Sequence, residues 1–215
     1  MEKKTIRYHS DLVDPMRLTY DWETTGLANF KAPPEDPSQP RGVQLGALLK
    51  DDDGNVVSEI NLIVKPEGFT IPEAAANVHG ITTEKALKYG LSIKGVLKLF
   101  IALVKMSDLL VGHNQTYDDL VMRGELIRAG FTDDLALFQS KPRYCTMQAS
   151  TDILKIPGKY GKSKWPNLQE AHKHFFGVGF DGAHDASADV RATDHVYEGI
   201  QAYLAKLREP AVSTV

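Results

Sequence analysis

The chain has 215 residues, of which 42% are hydrophobic and 25% charged, and its formal net charge is −3 at pH 7. This length and composition are typical of one globular domain, and the single cysteine excludes an intrachain disulfide, which favours a reducing, cytoplasmic location. No apolar stretch suits a signal peptide or a membrane span, so we expect no membrane partner, and the net charge alone gives no case for nucleic acid.

The first predicted strand and the last predicted helix divide the chain into three parts. Residues 1–16 are mostly polar, which predicts an N-terminal extension. Residues 17–207 are expected to form the folded domain, and residues 208–215 a short C-terminal tail.

The first strand carries two carboxylates. An apolar pattern over residues 18–22 predicts this strand, and alternate side chains of a strand share a face, so Asp21 and Glu23 point the same way. Their mutual repulsion calls for a cation, and Mg²⁺ or Mn²⁺ prefers such oxygen ligands. The stretch therefore predicts a metal site, with a solvated acidic strand end as the alternative.

Two more strands are predicted at residues 43–49 and 56–64, because an Asp-Gly turn at 51–54 joins two apolar runs. The loop before them, residues 31–41, contains four prolines, which exclude both a helix and the hydrogen-bonded pairing of a β-sheet. We therefore expect three antiparallel strands, with a surface loop after the first.

Helices predominate further along the chain. Apolar spacing, caps and proline predict them at residues 72–77, 92–106, 117–129, 167–176 and 186–207, with one more ending near 154. A turn is predicted at 78–82, a buried strand at 109–111 and a last short strand at 144–147. This order predicts an α/β fold, in which helices pack on the faces of a mixed sheet.

Residues 155–164 contain four lysines, and two aromatic residues, Tyr160 and Trp165, lie among or beside them. Such a mixture is typical of a surface that holds single-stranded nucleic acid, because lysines contact phosphates and rings stack on bases. A solvated loop is the alternative.

Two later segments can complete the acidic site. Asp118 begins a helix, where a carboxylate also stabilises the positive helix end. His184 and Asp189 are five residues apart, which separates them around a continuous helix. Both reach one site only if His184 precedes the helix, and Asp185 is a suitable cap to start it.

These segments resemble the motifs of the DEDDh, or DnaQ-like, 3'–5' exonucleases, which include the proofreading epsilon subunit of bacterial DNA polymerase III. Asp-x-Glu-Thr-Thr-Gly matches residues 21–26, His-Asn-x-x-Phe/Tyr-Asp matches 113–118, and His-x-Ala-x-x-Asp matches 184–189. The family's Val-His-Gly-Ile-Thr occurs at 78–82. The resemblance implies a ribonuclease H-like fold, with a mixed five-stranded sheet whose first three strands are antiparallel and with residues 17–207 as the exonuclease domain.

The resemblance also implies the roles of individual residues. Two Mg²⁺ or Mn²⁺ ions would be held by four carboxylates, those of Asp21, Glu23, Asp118 and Asp189. His184 would complete the catalytic set as the general base. Contacts with the 3'-terminal nucleotide would come from Thr24, Gly26, Leu27, His79 and Asn114. For Leu27 and His79, ordinary packing is the alternative.

The activity implied is hydrolysis of single-stranded DNA from its 3' end, which releases nucleoside 5'-monophosphates. The alternatives are an exoribonuclease of the same family, a proofreading subunit bound to a DNA polymerase, or an inactive nucleic-acid-binding module. Only residues 208–215 follow the last predicted helix, which favours a stand-alone enzyme. Gln44 departs from the glutamate of many relatives, and the oligomeric state stays open.

Overall fold

The computed structural model describes residues 15–208, so residues 1–14 of the predicted extension and 209–215 of the predicted tail lie outside it. Its strands are β1 (Arg17–Thr24), β2 (Gly42–Lys50), β3 (Val56–Ile63), β4 (Leu109–Gly112) and β5 (Arg143–Cys145). Its helices are α1 (Glu73–His79), α2 (Thr83–Tyr89), α3 (Ile93–Met106), α4 (Gln115–Ala129), α5 (Thr132–Ser140), α6 (Thr146–Leu154), α7 (Leu168–Phe176) and α8 (Ala186–Arg208). Within this range, no helix has the length and apolar character needed to cross a bilayer.

The strands form one mixed sheet in the order β3-β2-β1-β4-β5. β2 pairs antiparallel with both β1 and β3, whereas β4 pairs parallel with both β1 and β5. This topology confirms the predicted α/β, ribonuclease H-like fold, including its three antiparallel strands.

Alternate side chains of the sheet point into two helical layers. Leu18, Tyr20 and Trp22 of β1 lie in a core that is completed by α3, α4 and α5. On the opposite face, Val111 of β4 packs in a second core with Ile200 of α8 and with residues of α6 and α7. Helices therefore cover both faces, as predicted.

A buried charge network holds α8 against β1 and β2. Nε of Arg17 lies 2.7 Å from Oδ1 of Asp194, and Nζ of Lys50 lies 2.6 Å from its Oδ2. Arg17 is 2% exposed and Asp194 0%. Arg17 shares its face of β1 with Asp21 and Glu23, so α8 lies over the side of the sheet from which both acidic side chains project.

Residues 31–41 form the irregular loop that their prolines predict. The buried Gln39 closes the loop, because its Nε2 donates to the carbonyl oxygens of Asn29 at 2.7 Å and Ala32 at 3.1 Å. Arg128 of α4 donates to the carbonyl of Pro34 at 3.1 Å. The loop is therefore packed against α4.

Four helices differ from the predicted ones. The sequence pattern does not predict α2 or α5, because α2 buries only Ala86 and α5 only Phe138, so neither has a periodic apolar stripe. α1 extends to His79, which the pattern places in a turn, and it ends at Gly80 with a φ of 73°. α4 begins two residues earlier than predicted, at Gln115.

Candidate active site

Three carboxylates crowd together at the end of β1. Burial, followed by the charge of Asp189, raises the pKa of Asp21 to about 8. Burial, followed by the charges of Asp21 and Asp189, raises the pKa of Glu23 to about 9. Shifts of this direction arise when neighbouring carboxylates are removed from water without a compensating positive charge. Ionisation of these carboxyl groups would therefore concentrate negative charge at the site, and a cation would offset it.

Asp118 joins this cluster from α4. Its Oδ1 accepts a hydrogen bond of 3.0 Å from the backbone nitrogen of Trp22, which fixes the side chain beside β1. Burial, followed by the charge of Asp21, raises the pKa of Asp118. The next residue, Asp119, is neutralised instead by Arg143, whose Nε lies 3.0 Å from Oδ2. The structure thus brings Asp118, rather than Asp119, into the cluster.

The start of α8 brings the last two predicted residues to the site. Asp185 caps the helix, since its Oδ1 accepts a hydrogen bond of 3.1 Å from the backbone nitrogen of Ser187. His184 precedes the helix with a φ of 69°, and its backbone nitrogen donates to Oδ2 of Asp189 at 3.0 Å. His184 therefore approaches from a loop, while Asp189 lies in the first turn of the helix.

The five predicted catalytic side chains converge on one region. The ligand atoms of Glu23, His184 and Asp189 lie within 4.8 Å of one another. Asp21 and Asp118 adjoin this group, since the charge of Asp21 raises the pKa of Asp118 and that of Asp189 raises the pKa of Asp21. Carboxylate oxygens are the ligands that Mg²⁺ and Mn²⁺ prefer, and divalent ions would offset the repulsion. The residues therefore fit a site for such ions.

Gln44 of β2 holds the start of α8 on the sheet, although the sequence analysis noted this residue only as a departure from the family pattern. Nε2 of Gln44 lies 3.2 Å from Oδ2 of Asp185, and its Oε1 accepts a hydrogen bond of 3.3 Å from the backbone nitrogen of Ala186. Two residues on, Gly46 leaves room for the helix, because a Cβ there would lie 2.4 Å from the carbonyl oxygen of Ala186. The first turn of α8 thus rests directly on the sheet.

A cavity of about 300 Å³ adjoins the cluster at Glu23. Its lining includes four of the predicted substrate-binding residues, namely Thr24, Gly26, Leu27 and His79. Leu27 is 92% exposed, so it does not serve to fill the core. Nδ1 of His79 accepts a hydrogen bond of 3.2 Å from the backbone nitrogen of Ile81, and burial lowers the pKa of His79, which favours a neutral ring.

Tyr117 closes one wall of this cavity, a role that the sequence did not predict. Its hydroxyl donates to the carbonyl oxygen of Gly26 at 2.6 Å and also bonds the hydroxyl of Thr24. Burial raises the pKa of Tyr117 to about 12, so the hydroxyl keeps its proton. The only signal in the sequence was the position of Tyr117 immediately before Asp118.

Asn114 is the one predicted substrate-binding residue that does not line the cavity. It is exposed at the start of α4 with a φ of 65°, and its side chain makes no hydrogen bond with any described residue. The neighbouring His113 has a structural role that was not predicted. Its Nδ1 lies 2.9 Å from Oγ1 of Thr146, and its Nε2 lies 3.0 Å from the carbonyl oxygen of Pro166. Burial lowers the pKa of His113 to about 4, so the ring is neutral and donates to Pro166 through Nε2.

A family model described as an exonuclease, RNase_T, matches residues 18–197. The chain therefore belongs to this exonuclease family, which confirms the resemblance to the DnaQ-like 3'–5' exonucleases. No curated protein matches the chain in a sequence search.

Solved structures of exonuclease I share the fold. The structure of Escherichia coli exonuclease I in complex with a dT13 oligonucleotide has a TM-score of 0.72 at 22% identity, covering 89% of this chain and 42% of that one. The zinc-bound form of the E. coli exonuclease I complex with single-stranded DNA has a TM-score of 0.67 at 24% identity, covering 91% and 41%. The chain thus spans about two fifths of exonuclease I.

Proposed function

We propose that this chain is a metal-dependent 3'–5' exonuclease that releases nucleoside 5'-monophosphates from single-stranded DNA. The observation that carries the proposal is the convergence of four carboxylates and one histidine beside a cavity that is open to a nucleotide. The similarity in fold to an exonuclease I whose structure contains a dT13 oligonucleotide supports single-stranded DNA as the substrate.

Two Mg²⁺ or Mn²⁺ ions would be held by the carboxylates of Asp21, Glu23, Asp118 and Asp189. When bound, such ions neutralise the charge of the phosphate and lower the pKa of water. Hydrogen bonds to backbone nitrogens already orient two of these carboxylates, Asp118 through Trp22 and Asp189 through His184. Carboxylates fixed in this way lose little freedom when they bind an ion.

His184 acts as the general base, because imidazole is the side chain that accepts protons near neutral pH. It takes a proton from the attacking water, whose oxygen forms a bond to phosphorus. The bond from phosphorus to the 3' oxygen of the preceding nucleotide breaks, and that oxygen takes a proton from solvent. The products are a nucleoside 5'-monophosphate and a strand that ends in a 3' hydroxyl.

The terminal nucleotide occupies the cavity beside Glu23. Its volume of about 300 Å³ lies at the lower end of the range for small-molecule sites. Leu27 offers the last base an exposed apolar surface, and the neutral ring of His79 lies in the same lining. The hydroxyl of Tyr117 holds the turn at Gly26 that carries Leu27.

The test uses matched 5'-labelled single-stranded DNA and RNA oligonucleotides, incubated with Mg²⁺, with Mn²⁺ or with chelator and resolved as ladders. We expect metal-dependent shortening of DNA from its 3' end. Asp118→Asn should abolish it, whereas the matched Asp119→Asn should retain it, because Asp119 pairs with Arg143 outside the cluster.

Four outcomes would contradict the proposal. Shortening in chelator would exclude the metal mechanism, and full activity of Asp118→Asn would exclude the assigned site. Faster shortening of RNA would make the chain an exoribonuclease. Intact oligonucleotides under every condition would instead indicate an inactive nucleic-acid-binding module.

A further inference from the structure

The lysine-rich segment 155–164 is an ordered hairpin, which we call the lysine hairpin. The backbone nitrogen of Gly158 donates to the carbonyl of Lys162 at 2.9 Å, and that of Lys164 to the carbonyl of Ile156 at 2.9 Å. Pro157 and Ser163 pair between these bonds as an antiparallel bridge. The hairpin therefore presents its side chains on a defined backbone.

Tyr160 lies at the tip of the lysine hairpin and is 97% exposed. Its φ of 59° is unfavourable for a bulky residue, and Gly161 follows with a φ of 71°. Trp165, just beyond the hairpin, is 65% exposed. Two aromatic rings with no packing role in the core are thus available within six residues.

The charge of the lysine hairpin is unbalanced. Residues 153–169 contain four lysines and no acidic residue, in a chain whose net charge is −3. Lys164 is neutralised, since its Nζ lies 2.6 Å from Oε1 of Glu170. Lys155, Lys159 and Lys162 are exposed and form no ion pair with any residue from 15 to 208. Three unpaired positive charges therefore lie within five residues of the exposed tyrosine along the chain.

The base of the lysine hairpin is joined to the candidate active site. The carbonyl oxygen of Pro166 accepts a hydrogen bond of 3.0 Å from His113, which follows β4 and precedes Asn114. α4 begins directly after Asn114 and carries Asp118 in its first turn. This hydrogen bond therefore places the segment that follows the lysine hairpin beside the residues that lead into α4 and Asp118.

We propose that the lysine hairpin binds the single strand upstream of the scissile phosphate, with Lys155, Lys159 and Lys162 on its phosphates and Tyr160 stacked on a base. This assignment rests on the proposed function for the direction of the strand. It matches the chemistry of sequence-independent single-strand binding, in which positive charge follows the backbone and aromatic rings accept any base. A surface of this kind increases affinity for long strands without contacting the reacting atoms.

The decisive measurement is the binding of a fluorescent single-stranded dT15 to the full chain in chelator, as a function of salt. Replacing Lys155, Lys159 and Lys162 with alanine should reduce the slope of log affinity against log salt by about 2, since each phosphate contact on a single strand contributes about 0.7. Tyr160→Ala should weaken binding at least about 5-fold with an unchanged slope.

The matched control replaces Lys88, Lys94 and Lys98, three exposed lysines of α2 and α3, and removes the same charge elsewhere on the surface. An unchanged slope in the hairpin variant, or an equal loss in the control, would overturn the proposal. Thermal unfolding of each variant would verify that the fold is retained.

A second substrate separates this proposal from the proposed function. The p-nitrophenyl ester of thymidine 5'-monophosphate contains one nucleotide and cannot reach the hairpin. The hairpin variants should hydrolyse it at the wild-type rate while losing kcat/KM on dT15. A wild-type protein that hydrolyses neither substrate would contradict the proposed function, whereas the binding measurement in chelator would still decide the role of the hairpin.

Discussion

The backbone nitrogen of His184 donates a hydrogen bond of 3.0 Å to the carboxylate of Asp189, five residues further along the chain. This bond closes a loop around Asp185, which caps α8 at the same place. The proposed base and a proposed metal ligand therefore form one hydrogen-bonded unit. The other oxygen, Oδ1, accepts no hydrogen bond from any residue between 15 and 208, so it would be available to the proposed ion.

His184→Asn should keep this unit while removing the base. Asparagine tolerates the left-handed φ of 69° better than most residues do, and the backbone nitrogen that bonds Asp189 is retained. We expect kcat on the p-nitrophenyl ester to fall by about 10²- to 10⁴-fold, the usual contribution of a general base, with KM little changed. The exposed His174 of α7 gives the control, because His174→Asn should leave kcat unchanged. A loss below 10-fold for His184→Asn would argue against its role as the base.

Without divalent ions, the protein should become less stable as the pH rises. The folded pKa values of Asp21 and Glu23, about 8 and about 9, lie above their ordinary values of 3.8 and 4.5. Between these limits the folded state binds more protons than the unfolded state, so the free energy of unfolding decreases with increasing pH. Calorimetry in chelator should give a lower Tm at pH 9 than at pH 6.

Two further measurements identify the groups that cause this pH dependence of the Tm. Mn²⁺ or Mg²⁺ should raise the Tm most at high pH, where the carboxylates are ionised, and Asp21→Asn should make the dependence in chelator shallower. A Tm in chelator that rises steadily from pH 6 to pH 9 would show that these carboxylates are not crowded in solution.

Gln44→Met should disturb the start of α8. It removes the bonds to Asp185 and to the backbone nitrogen of Ala186, and it leaves that buried nitrogen without an acceptor. We expect a loss of about 1–3 kcal/mol in the free energy of unfolding, together with a lower kcat, because Asp189 lies in the same helical turn. Urea unfolding and hydrolysis of the ester would measure both. The exposed Gln148 provides a matched Gln→Met control, and equal effects at the two positions would refute the special role of Gln44.

Asp194→Ala should destabilise the protein more than the removal of a charge from the surface does. It leaves Arg17, which is 2% exposed, with Glu198 as its remaining carboxylate partner. We expect a loss of about 3 kcal/mol in the free energy of unfolding, measured with urea, because a buried charge loses its main partner. Asp134, which lies 3.7 Å from the exposed Lys105, is the control, and Asp134→Ala should cost less than about 1 kcal/mol. Equal losses would show that the buried network does not anchor α8.

The main features of the fold and the acidic site could be predicted because they depend on local sequence. Strand alternation places Asp21 and Glu23 on one face, and helix geometry requires His184 to precede α8. Both features are present in the structure. The helices α2 and α5 were missed because each buries a single side chain, so burial leaves no pattern in the sequence.

Contacts between distant segments could not be predicted in the same way. Gln44 meets Asp185 across 141 residues, and His113 meets Pro166 across 53. Each partner alone has an ordinary sequence context, and only the packing of α8 and α7 on the sheet brings them together. The ion pair between Lys164 and Glu170 could not be predicted either, although the two residues are close in sequence. The composition of the segment shows four lysines, whereas the structure leaves three of them without a partner.

The placement of α8 over β1 has a consequence for the order in which activity can arise. Asp21 enters the sheet early, whereas Asp189 belongs to the last described helix, so the site needs two segments that are synthesised far apart in time. A nascent or partly refolded chain can complete much of its sheet and still lack the proposed base, His184, and one proposed metal ligand, Asp189. Nuclease activity would then appear only once α8 has docked on the sheet.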